Sequence, residues 1–297
     1  MSATTQPDAG MQPIAAEPLV GWRGFLRSLF SSRVTIFGLA LILVFAGVAV
    51  LAPILAPYNP VEQSIILMNR PPSAEHLLGT DGFGRDILSR IIWGTRPSLA
   101  LALLAPMIAL ILGTAIGTMA GFFGGRIDRL VGRLTDTLMA FPSLLLGILV
   151  SAALGPGFFN VVAAVAFAFL PRFIRVARAS TMAVRQEPYI EAAFAVGQPR
   201  WRIIFRHVVP NISGPIVVVA TLWIATAIRI EATLSFLGLG VQAPDPSWGN
   251  IIRDGLGNLL GSPWPVIFAG AAITLCVLAF NLVGDALRDA LDPEHRD

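Results

Sequence analysis

Six stretches of this chain are about twenty residues long, strongly apolar and poor in charge: Val34 to Ala56, Ser98 to Phe123, Leu134 to Leu154, Phe158 to Val176, Ile212 to Gly238 and Trp264 to Val283. At 1.5 Å of rise per residue, a helix of that length crosses a hydrocarbon layer about 30 Å thick. A chain buried in lipid must satisfy every backbone N–H and C=O internally, so apolar runs of this length specify helices. The fold class this implies is all-α, a polytopic bundle of six transmembrane helices. Of the 297 residues, 55% are hydrophobic and only 13% charged, too few charges to clothe a soluble globule of this size. The mean hydropathy of +0.73 says the same.

Orientation follows from arginine. The chain has 21 basic residues and no Lys, so every one is Arg. Lys and Arg are retained on the cytoplasmic side of short connections. With the N-terminus inside, 15 arginines fall in inner segments and five (Arg70, Arg85, Arg90, Arg96 and Arg253) in outer ones, with Arg229 inside the fifth span. Both termini are therefore expected in the cytoplasm. The expected organisation is a cytoplasmic tail over 1–33, a first span over 34–56 and an extra-cytoplasmic segment over 57–97. A core with five further spans follows over 98–285, with a cytoplasmic loop at about 177–211, and then a cytoplasmic tail over 286–297. Because the arginines lie between apolar spans and form no basic stripe with interleaved aromatics, nucleic acid is not an expected partner; lipid is.

In the second span Gly113, Gly117 and Gly121 recur every fourth residue and align on one helix face. That spacing reads as a surface for close helix packing, with pore lining as the alternative. Pro142, Pro171 and Pro215 fall inside apolar helices, where neighbours can satisfy the freed carbonyls.

The connection between the fourth and fifth spans is long for a compact bundle, and it carries structure of its own. Tyr189 to Val196 reads as a short Ala-rich helix opened near Glu187-Pro188 and stopped by Gly197. A second helix is expected from Pro199 to Val209, stopped before Pro210. Two short helices then meet at a glycine elbow ringed by Arg200, Arg202 and Arg206. A helix hairpin lying at the lipid headgroups is the alternative.

The string EAAFAVG, followed by HVVP, resembles the EAA loop of permease subunits in binding-protein-dependent ABC importers. The matching residues are Glu191, Ala192, Ala193 and Gly197, with Pro210 closing the pattern and Arg200 beside the elbow; His207 stands where that motif prefers an aliphatic residue. His76 to Leu103, Glu231 to Gly240 and Ala279 to Pro293 are similar to stretches of the dipeptide, oligopeptide and nickel permease family, and the lone span before the core resembles its second, C-type, permease partner. The resemblance implies a type I ABC importer permease fold in the bacterial cytoplasmic membrane. It also implies a heterodimer with a homologous permease subunit, two ATP-binding subunits docked on the loop and an extra-cytoplasmic solute-binding protein. The implied cargo is a di- or oligopeptide, with nickel, glutathione or another solute of the family as alternatives.

The chain is not expected to be an enzyme. A P-loop needs a Lys after its glycines to reach the outer phosphates, and this chain has none. ATP and Mg²⁺ would be bound by the partner ATPase subunits, with no cofactor in this chain. His76, His207 and His295 are scattered, and the lone Cys276 sits in an apolar run. Arg229 and Glu231 in the fifth span are the candidate pathway or outer-gate residues, since charges at membrane depth face a bundle interior or water. Snorkelling of Arg229 to the outer headgroups is the alternative reading. An ATP-independent secondary transporter is the rival class, and it would need a relay of mid-membrane acids that the spans scarcely supply.

Overall fold

The computed structural model describes residues 32–291; the expected N-terminal tail up to residue 31 and the C-terminal tail from residue 292 lie outside the described residues. Helix α1, Arg33–Leu55, matches the first apolar run to within a residue at each end. It is held near its start, where Gly38 lies against Leu282, Ala279 and Val283 of the last helix. Most of α1 is otherwise exposed within the single chain.

Residues 57–86 are irregular but tightly bonded. Ser64 N donates to Phe83 O (3.1 Å), Asn69 N to Asp81 O (2.9 Å) and Thr80 N to Arg70 O (3.0 Å). Gly84 has φ +72°, and a Cβ there would fall onto the Ser64 carbonyl, so this fold-back requires glycine.

Helix α2, Ile87–Phe123, begins well before the expected Ser98. The reason is local: Asp86 caps the helix by accepting from Ser89 N at 2.7 Å, and its charged first turn is neutralised in a buried ion network instead of being placed in lipid. Apolarity alone marks only where the charges end. The expected third span, Leu134 to Leu154, is corrected to two helices, α3 (Gly125–Met139) and α4 (Ser143–Leu154), that meet at 94°. Pro142 supplies no N–H and disfavours a helical Phe141, which breaks the run. Helix α3 is amphipathic, while α4 is apolar throughout.

Helix α5, Phe158–Arg185, continues past Pro171 and beyond the expected Val176. After α6 (Pro188–Ala195) and α7 (Arg200–Ile203), the chain passes through a π-helical turn at Ile204–Val208 directly into α8, Val209–Phe236. The expected stop before Pro210 is thus corrected. The wider turn, in which Val209 N donates to Ile204 O, carries the helix across a residue that has no N–H to give. Asn211 Nδ2 then donates to the His207 carbonyl at 2.6 Å. A helix absent from the sequence reading, α9 (Trp248–Leu256), precedes α10, Trp264–Leu291.

Among the described residues, five helices are long and apolar enough to span a membrane, and there are six where the bent α3–α4 pair is counted as one span. The bundle is organised on the parallel α2–α5 contact. A Cβ on Gly113 would sit 2.5 Å from Phe173 Cβ, one on Gly117 would strike the Ile174 carbonyl, and one on Gly121 would lie 2.7 Å from Arg178 O. The glycine stripe is therefore a packing face, and the pore-lining alternative falls. Helix α8 lies across this pair, with Ile212, Ile216, Ala225, Ile228 and Leu234 in the core.

Candidate functional site: the helix pair at the arginine-rich end

Helix α5 ends at Arg185, and a two-residue turn hands the chain to Pro188, the first residue of α6, where its fixed φ suits the helix start and its missing N–H costs nothing. Ile190 (0% exposed) and Ala193 (5% exposed) seat α6 on the bundle, and the Phe194 ring stacks on Phe122 at 5.9 Å. The other side of the helix, with Glu191 and Ala192, faces outward. Its end has the two bonds of a Schellman cap: Gln198 N donates to Ala193 O (3.1 Å) and Gly197 N to Phe194 O (3.0 Å). Gly197 has φ +75°, and no atom lies within 4 Å of where its Cβ would be. The elbow is set by backbone conformation alone.

Arg200 and Pro210 beyond the elbow are exposed, and so are three apolar side chains to which the sequence assigned no role: Val196 (74%) just before the elbow, and Trp201 (62%) and Phe205 (70%) after it. Arg200 lies 5.9 Å from the Phe123 ring, which ties the elbow to the end of α2. Partial burial and the Glu187 carboxylate push the Tyr189 phenol above its ordinary value, so it remains a neutral donor. Between α2, α3, α5 and α6 lies a cleft of 440 Å³, lined among others by Asp128, Arg185, Gln186 and Glu191. Arg178 grips Asp128 through both Nε and Nη2, the latter at 2.8 Å, and Arg175 Nη2 meets Asp136 at 2.6 Å. Helix α3 is thereby pinned to α5 directly above the helix pair.

The two candidate pathway residues part company. Arg229 is exposed and donates to Thr226 Oγ1 at 3.1 Å. Glu231 is 0% exposed and accepts from Ser235 Oγ at 2.8 Å, so it faces the interior of this chain and not a surface. Ala193, the third residue of the loop motif, is likewise buried.

At the opposite end the structure brings together charges that sequence did not connect. Arg85 Nε meets Asp81 Oδ2 and its Nη2 meets Asp254 Oδ2, each at 2.7 Å, while Arg90 reaches the same two carboxylates at 3.5 and 3.4 Å. His76 Nδ1 lies 2.9 Å from Asp86. This network joins the irregular segment and the start of α2 to α9.

A bundle of this topology, with a helix pair projecting from one end, is the architecture of a type I ABC transporter permease. A solved structure of the MetNI methionine ABC transporter in an inward-facing conformation matches with a TM-score of 0.56, at 16% identity, over 69% of this chain and 98% of that one. The chain belongs to the family described as binding-protein-dependent transport system inner membrane component, whose model matches residues 113–297; a model for the N-terminal TM domain of oligopeptide transport permease C matches residues 22–72. Among its relatives, a dipeptide transport system permease protein DppC of Alkalihalophilus pseudofirmus is 45% identical over 92% of this chain and 90% of the relative. A glutathione transport system permease protein GsiD of Pectobacterium atrosepticum is 42% identical over 92% and 91%.

Proposed function

We propose that this chain forms half of the path by which short peptides cross a bacterial cytoplasmic membrane, moved by ATP hydrolysis on separate subunits. The helix pair α6–α7 lies in the cytoplasm, as do both termini, and it is the docking element for one of two ATPase subunits. A homologous second permease subunit completes the path, and an extra-cytoplasmic binding protein delivers the peptide. The observation that carries this reading is the exposed elbow: Glu191, Ala192 and Gly197 stand beside Val196, Trp201 and Phe205 on a short helix pair. Exposed aromatic and aliphatic side chains rimmed by Arg200 and Arg202 suit a protein groove better than water. The 15-to-5 division of arginines supports the orientation. The absence of Lys, and so of any P-loop Lys, supports placing ATP and Mg²⁺ on partner chains. Peptide cargo rests on the dipeptide and oligopeptide permeases among the relatives; the glutathione permease among them points to the alternative cargo, itself a small peptide.

Purification from the native host in mild detergent, followed by identification of the co-purifying chains, tests the assembly. A second permease and two ATPase subunits are expected, and a chain that purifies alone, with its membrane fold intact, contradicts the proposal.

A further inference from the structure

One charge near the cytoplasmic end of an apolar span has no role in the packing described above. The Arg172 guanidinium lies 4.2 Å from the centroid of the Trp223 ring, and Phe169, fully buried, backs that ring at 4.9 Å. Trp223 stands fourteen residues from the start of α8 and thirteen from its end, about 20 Å from either at helical rise. On α5, the residue after Arg172 is Phe173, which is level with Gly113 of α2, about 15 Å short of the end of that helix. Trp223 is thus deep in α8, while Arg172 falls four residues before the inner end of the apolar run 158–176, so the guanidinium sits toward the cytoplasmic side of the span.

Its neighbours on α5 are paired, Arg175 with Asp136 and Arg178 with Asp128. Among the described residues, Arg172 has no carboxylate within ion-pair distance and no hydrogen-bond acceptor, although it is only half-buried. A cation held on a spanning helix without a counter-charge faces a water-filled cavity or meets its anion from outside the chain. Stacking on indole fixes the guanidinium plane and leaves its N–H edge free, the fork that matches a carboxylate through two parallel bonds. Arg229, exposed on the same helix as Trp223, adds positive potential farther along α8.

We propose that Arg172, held by Trp223, is a binding point in the translocation path for the carboxylate of the cargo, the C-terminal group of a short peptide. This rests on the reading of the chain as a peptide permease. The full complex is reconstituted in proteoliposomes with wild type, Arg172→Gln or Arg172→Lys. Uptake is measured for a dipeptide with a free C-terminus and for its C-terminal amide, each loaded to saturation on the binding protein. Wild type is expected to move the acid faster than the amide by roughly tenfold or more, the worth of a charge-assisted pair of hydrogen bonds. Arg172→Gln erases that preference by losing acid uptake, while binding-protein-stimulated ATP hydrolysis stays within about twofold of wild type, because the docking helices are untouched. Arg172→Lys keeps the charge and recovers part of the preference. The inference is overturned if Arg172→Gln leaves acid uptake unchanged, if it lowers acid and amide uptake equally, or if it prevents assembly with the second permease, which would make Arg172 an intersubunit contact. Absence of any binding-protein-dependent peptide uptake by wild type would instead overturn the proposed function.

Discussion

Replacement of Gly197 by Val separates backbone conformation from packing at the proposed docking element. The added side chain meets open space, so no clash contributes and the whole cost lies in φ +75°. A β-branched residue held there costs about 1–3 kcal/mol. That energy lowers the population of the native elbow about 5- to 150-fold. Asn tolerates this region better than other side chains, so Gly197→Asn is expected to lose less than Gly197→Ala, and Ala less than Val. The altered site is exposed and lies beyond the seated residues Ile190 and Ala193, so insertion and pairing with the second permease are expected to survive. The assay is ATP-driven peptide uptake in proteoliposomes, alongside co-purification of the ATPase subunits. Loss of both in the order Asn, Ala, Val supports the elbow as the docking element. Wild-type uptake by Gly197→Val, or Asn as damaging as Val, refutes the reasoning.

Three further outcomes are expected. A reporter active only outside the cytoplasm is active when fused after Gln63 or Gln242 and silent after Gly124 or Gln186; the reverse at either outer site breaks the six-span topology. Asp81→Ala leaves Arg85 and Arg90 buried without one of their two carboxylates and destabilises the chain by about 3–5 kcal/mol, read as a lowered melting temperature in detergent. Gly117→Ala drives a methyl into the Ile174 carbonyl and the Ala177 side chain, costing about 1–3 kcal/mol by the same measurement, whereas Gly214→Ala, with no atom within 4 Å, leaves packing unchanged.

The glycine stripe and the elbow at Gly197 were legible because each is written in a local pattern, spacing of four in one case and a helix stop in the other. Span number was legible from length, and boundaries were not. Helix α2 begins right after Asp86 because of a cap and an ion network one of whose carboxylates, Asp254, is 169 residues from Arg85, a pairing no local pattern can announce. The fourth element hid within an apparently continuous apolar run because Pro142 turns the chain by 94° without interrupting its hydrophobicity. Helix α9 announces itself only by a capping box, Ser247 with Asn250, in a Gly- and Pro-rich stretch that otherwise reads as loop. Arg229 and Glu231 were both candidates for the path, and two residues of helical rotation expose one and bury the other. Arg172 counted only toward topology until its contact with Trp223 brought two distant helices together.

In the proposed mechanism this chain opens a path only when ATPases close on its helix pair. Its most direct test is peptide uptake by proteoliposomes that hold both permease subunits, with binding protein and peptide outside and ATP inside, prepared with and without the ATPase subunits. Uptake that requires ATP, the binding protein and the ATPase subunits together is the predicted result. Uptake by the two permease subunits alone would contradict it and make the chain part of a secondary transporter.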